Sequence, residues 1–172
     1  MNLQSTDFEL FAVPQAFAQD RTQLDMRWKE LQKEAHPDKF AAQGAAAQRI
    51  AMQWSVRINE AYQRLRDPVQ RAAYLCELNG APINAESNTA MPAAFLMQQM
   101  ELREALEDAA TEENLDEISQ QVSDIKRDML SETERLIDKD RNFTAAAQNV
   151  RALLFIQKFQ ADIDRRFELL GQ

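Results

Sequence analysis

The sequence predicts an all-α protein of two helical units, and three observations lead there. Strong helix formers (Ala, Leu, Gln, Glu, Arg, Met) are abundant, and β-branched residues rarely cluster. The three glycines and five prolines fall almost wholly where the helical period stops, as in a helix bundle. Charge divides the chain: residues 1–79 carry ten basic and ten acidic side chains, whereas residues 80–172 carry ten and eighteen, so the whole excess of −8 lies in the second part. The expected organisation is a first unit over 1–79, a linker over 80–91 and an antiparallel three-helix bundle over 92–172.

Each element has its own signal. "DFELFAV" is short and apolar, enough for one or two helical turns. "DRTQLDMRWKELQKEA" reads as a helix capped by Asp20 or Thr22, with Leu24, Trp28, Leu31 and Ala35 on one buried stripe. It stops at His36, because Pro37 disfavours helical geometry in the residue before it. A loop is expected as far as Gly44. A long helix follows over 45–66, with Ile50, Trp54, Ile58, Ala61 and Leu65 as its stripe. Asp67 then caps a new helix that has Pro68 at its first position and Gln70 at the reciprocal capping position. Asn79-Gly80 ends it.

"APINAESNTAM", residues 81–91, is polar, small and without periodicity. Three longer helices are expected beyond it, over about 92–110, 111–137 and 142–170. Thr111 and Asn142 are the caps of the last two. Leu115, Ile118, Val122, Ile125, Met129 and Leu136 follow a heptad seam suited to an antiparallel partner. Short connections between long helices make neighbours antiparallel.

Composition also excludes functions. A net charge of −8 disfavours sequence-independent nucleic-acid binding. The single cysteine, Cys76, and the single histidine, His36, cannot build a disulfide or a multi-ligand metal site, so no metal or cofactor is expected. Cys76 reads as a small buried hydrophobe. No segment resembles a secretory signal or a membrane span, and a cytoplasmic protein without a membrane partner is expected.

The helix break carries the first candidate site. A lone histidine at a helix end is often only a cap. A His36–Asp38 pair could also serve a small hydrolase, although a nucleophile or metal would still be needed. The third reading is a recognition tip. Pro37 fixes the backbone and lowers the entropy lost on binding. Lys29 and Lys33 fall opposite the buried stripe, one turn apart, with Arg27 to the side. These cations are either a solvated face or a basic strip leading to the tip.

"HPDKF", together with the basic helix before it and "INEAYQRLRDPVQRAAYL" after it, resembles a J-domain, a helical hairpin with flanking short helices, over residues 5–79. The resemblance implies a co-chaperone of a DnaK-type chaperone ATPase. His36, Pro37 and Asp38 would stimulate ATP hydrolysis by that partner, and Arg27, Lys29 and Lys33 would form the docking face. Ala35 departs from the family, which often has a large residue there, and implies weaker packing under the loop.

The second candidate site lies on "FLMQQMELREAL". On a helical wheel Phe95, Leu102, Leu106 and Ala109 gather within about 60°, whereas Leu96, Met97 and Met100 centre more than about 100° away. A bundle member needs one apolar stripe, and this helix has two. Either the protein covers the second stripe itself, or the stripe is a protein-binding patch with Glu101 and Glu104 on its rim and Arg103 nearby.

With the J-domain, "RAAYLCELNG" and "FLMQQMELRE", the whole chain resembles the HscB family of iron–sulfur co-chaperones. That resemblance implies that the bundle binds the cluster-assembly scaffold IscU and that the J-domain delivers it to the chaperone HscA. Leu96, Met97, Met100, Glu101, Arg103 and Glu104 would line the scaffold site. Phe155 would neighbour it, with core packing as the alternative. Gln98 stands where the family often has a glutamate. A J-protein for an unrelated client is the alternative function.

Overall fold

A computed structural model describes residues 2–84 and 90–171 of the chain. All regular structure among them is helical. The helices are α1 (Asp7–Phe11), α2 (Arg21–Glu34), α3 (Ala45–Arg66), α4 (Pro68–Leu78), α5 (Ala93–Asp108), α6 (Glu112–Glu134) and α7 (Phe143–Leu170). A 3₁₀ helix covers Pro37–Gln43, and a π-helical turn covers Arg135–Lys139. Two compact units, residues 1–75 and 76–172, divide inside α4. Residues 76–79, assigned from sequence to the end of the first unit, group with the second. Residues 85–89 of the expected linker lie outside the described residues.

The helix starts follow from local chemistry. Asp20 accepts hydrogen bonds from the amides of Thr22 and Gln23, and Asp67 accepts from those of Val69 and Gln70. Thr111 and Asn114 form a reciprocal capping box at α6, and Asn142 caps α7 through the Ala145 amide.

Three details differ from the sequence reading. Residues 37–43 form a 3₁₀ helix rather than a loop, because Pro37 presets its first dihedral and His36 caps it. On α3, Ile50 is 56% exposed, and Ala51 takes its place in the buried stripe with Ile58, Ala61, Tyr62 and Leu65. The regular helix α6 ends at Glu134, and the π turn that follows it, closed by the Asp140 amide donating to Arg135 O at 3.0 Å, brings both Leu136 and Ile137 inward.

The first unit is organised around a buried carboxylate. Asp7 is fully buried. Arg64 donates to it through Nε at 2.7 Å and Nη2 at 2.9 Å, and Arg57 Nη1 lies 2.7 Å away as an ion contact. The carboxylate raises the Arg64 guanidinium above its ordinary range through that hydrogen bonding. The Asp7 amide donates to Tyr74 Oη at 3.0 Å, so α1, α3 and α4 converge on this residue. Removing one partner of a buried ion pair leaves the other charges uncompensated. Asp7→Ala should therefore destabilise the first unit by roughly 3–5 kcal/mol. Urea unfolding checks this, and a loss below about 1 kcal/mol would mean that the arginines rehydrate freely.

In the second unit, Leu102, Ala109, Leu115, Ile118, Val122, Ile156, Phe159 and Ile163 form one core from α5, α6 and α7. Arg166 near the end of α7 donates to the Ala109 carbonyl at the end of α5 at 3.0 Å, so these two helices run the same way with α6 antiparallel to them. Cys76 packs in this unit, with Sγ 3.7 Å from Phe143 O. Burial pushes its thiol up to about 11, which makes it a poor nucleophile at neutral pH.

Candidate functional site

The first site is the corner between α2 and the 3₁₀ helix. α2 ends at Glu34, and Ser55 Oγ on α3 donates to the Ala35 carbonyl at 3.2 Å. That bond satisfies one of the carbonyls left open at the helix end. His36 is extended, with φ −62° and ψ 127°, and its Nδ1 accepts the Asp38 amide N–H at 3.2 Å. The side chains of His36 and Asp38 are 58% and 92% exposed, so the corner projects into solvent. Beneath it lies an apolar cleft of about 380 Å³, with Ala35, Phe40, Ile50 and Trp54 among its walls. The small Ala35 side chain is one of those walls, in keeping with looser packing under the tip.

The basic helix leading to the corner is held from behind. Asn59 Oδ1 accepts from Trp28 Nε1 at 3.0 Å and from Gln32 Nε2 at 2.6 Å, which ties α2 to α3. Trp28, expected to be buried, is half-buried and stacks on Tyr62 with ring centroids 4.8 Å apart. Tyr62 donates to Asp25, a bond that lowers the Asp25 carboxyl and raises the Tyr62 phenol from their ordinary values. With this face fixed, Lys29 and Lys33 lie exposed on the other. Arg27 is different: Glu30 pairs with its Nη1 at 3.3 Å, and its side chain is mostly covered. The free cations of the strip are therefore the two lysines.

The second site is on α5. Phe95, Leu102, Leu106 and Ala109 turn into the core of the bundle. Leu96, Met97 and Met100 do not, and are 47%, 63% and 70% exposed. Glu101 and Glu104 are exposed beside them. Arg103 is turned toward α7, where Nη1 lies 3.9 Å from Asp162 and the guanidinium sits 5.9 Å from the Phe159 ring centre. Phe155 is half-buried and meets Phe95 edge to face at 6.3 Å, so it backs the inner side of α5. The exposed apolar patch thus consists of the leucine and two methionines, with carboxylates on its rim. Gln99, between Leu96 and Met100, is buried with Nε2 unpaired. Its polarity gave no reason to expect it on the core side.

Ser55 and Asn59 are the positioning residues that local periodicity did not single out. Asn59 lies in the "INEAY" stretch that carries the J-domain resemblance, but its partners on α2 are visible only in three dimensions. No helix among the described residues is long and apolar enough to cross a membrane, and no cluster of potential metal ligands occurs among them.

Comparison with known proteins bears on both units. Residues 91–164 match the family model described as the HSCB C-terminal oligomerisation domain. The chain is 46% identical to a co-chaperone protein HscB homolog of Burkholderia thailandensis over 173 aligned positions, covering 99% of this chain and 98% of the relative. A homolog from Burkholderia cenocepacia is 45% identical with the same coverage. Among solved structures, chaperone HscB from Vibrio cholerae superposes with a TM-score of 0.83 at 34% identity, over 96% of this chain and 99% of that one. Human co-chaperone protein HscB shares the fold, with a TM-score of 0.91 at 24% identity over 96% and 84% of the two chains. Similarity at this level over almost the whole length of both chains means that this protein belongs to the HscB family of co-chaperones.

Proposed function

We propose that the protein is a two-surface adaptor that brings an iron–sulfur scaffold protein of the IscU type to a DnaK-type chaperone of the HscA type and stimulates the chaperone's ATPase. The observation that carries this reading is the second apolar face of α5. Leu96, Met97 and Met100 stay exposed on a helix whose opposite face already fills a core. Methionine adapts its shape to a partner, and an apolar patch rimmed by charge favours a protein with an apolar centre and basic surroundings.

The first unit takes the other role. Lys29 and Lys33 draw an acidic surface of the chaperone toward α2, and His36, Pro37 and Asp38 form the stiff element that acts on it. The unit comprising residues 1–75 corresponds on this reading to the J-domain. No bond is made or broken in this chain. Holding both partners on one molecule raises the local concentration of scaffold at the chaperone, so two modest affinities act together.

Isothermal calorimetry with purified scaffold protein, with and without its cluster, tests the client assignment. The expected result is one-to-one binding that buries apolar surface, seen as a negative heat-capacity change. Absence of binding to either form, with chaperone stimulation intact, would point instead to an unrelated client.

A further inference from the structure

The geometry of the tip specifies more than its exposure. A neutral imidazole has one N–H and one bare nitrogen, and the hydrogen bond made by one nitrogen decides the state of the other. Nδ1 of His36 accepts the Asp38 amide N–H at 3.2 Å. The Asp38 carboxylate, at 3.7 Å from the same nitrogen, is beyond hydrogen-bonding distance. In a neutral ring this contact leaves Nδ1 bare and places the proton on Nε2. Nε2 has no hydrogen-bond partner among the described residues, on a side chain that is 58% exposed.

We infer that the tip presents His36 as its neutral Nε2–H tautomer, a single outward donor, and that the chaperone meets it with a hydrogen-bond acceptor oxygen. This rests on the chaperone-docking reading above. Each ring nitrogen then has its own task. Nδ1 closes the turn over Pro37 and holds the 3₁₀ helix at its start, and Nε2 contacts the partner. Pro37 fixes the backbone between the two residues and so preserves the direction of the donor.

The chain has one histidine, so its ring signals are unambiguous in a ¹⁵N-histidine-labelled sample. On the alkaline plateau of the ring's own titration, the folded full-length protein should show Nε2 protonated and Nδ1 bare, more completely than the same chain unfolded in urea. A tautomer mixture equal to that of the unfolded chain, or the Nδ1–H form, overturns the inference. Two variants then separate the tasks. Asparagine is a strong N-cap whose amide oxygen can accept the amide two residues on. His36→Asn should keep the exchange protection of the Asp38 amide, yet raise the concentration needed for half-maximal ATPase stimulation at least about tenfold, the effect of losing one interfacial hydrogen bond. His36→Gln should lose that protection. Stimulation by His36→Asn equal to that of the unaltered protein overturns the acceptor. If His36→Gln also stimulates fully, the docking reading itself fails, and the acceptor fails with it, whatever tautomer the free protein shows.

Discussion

Replacing Leu96, Met97 and Met100 together with alanine should weaken scaffold binding by roughly 3–6 kcal/mol, about 10²- to 10⁴-fold, while the protein stays folded. The estimate follows from three anchors of about 1–2 kcal/mol each at the centre of a protein interface. The separation from stability follows from geometry. All three side chains are exposed in the free protein, and the core face of α5 is made by other residues. Exposed substitutions of this kind usually change stability by less than about 0.5 kcal/mol each. Chaperone stimulation measured without scaffold should be unchanged. A large loss of thermal stability in the triple variant would mean that the three side chains support the bundle, and the client site would have to lie elsewhere.

His36→Gln should show the opposite pattern, with stimulation of the chaperone ATPase abolished and scaffold affinity unchanged. Glutamine has no acceptor where Nδ1 sits, so the bond from the Asp38 amide is lost and the turn is no longer closed. The side chain is mostly exposed and no core residue depends on it, so helicity by circular dichroism should be preserved. Steady-state ATPase measurements decide the matter: stimulation that survives the substitution would remove the tip from the mechanism.

The parts of this molecule that sequence makes legible are those governed by neighbours in the chain. Thr111 and Asn142 cap the helices they were expected to cap, and of the two candidates for α2 Asp20 is the cap, because an N-cap acts on amides two or three residues away. The two faces of α5 follow from its wheel for the same reason, since 3.6-residue periodicity relates residues of one helix. What periodicity does not contain is which face a neighbour covers. Ile50 matched the stripe of α3 but stays exposed on the wall of the cleft, and Ala51 packs inward. The π turn at 135–139 falls at the end of the expected helix, where Leu136 is buried as the seam predicts and Ile137 beside it is buried as well.

Long-range polar contacts were the least legible. Asp7 sits in a short apolar segment and gives no local sign that Arg57 and Arg64, at least 50 residues away, converge on it. Arg27, to the side of Lys29 and Lys33 on the wheel, is mostly covered and pairs with Glu30 on the same helix. Arg103, expected near the α5 rim, stays exposed while its guanidinium lies 3.9 Å from Asp162 and near the Phe159 ring. In each case a distant or competing partner decides where a flexible charged side chain points.

The most direct test of the adaptor is complementation between two disabled molecules. One carries His36→Gln and keeps the α5 patch; the other carries the triple alanine substitution and keeps the tip. Chaperone ATPase is measured with scaffold present, for the unaltered protein and for an equimolar mixture of the two variants. If one molecule must hold both partners, the mixture should fall well short of the rate reached with the unaltered protein, with no more activation than the tip-bearing variant and free scaffold produce. Full restoration by the mixture would show that the two surfaces work independently, and the adaptor account would be wrong.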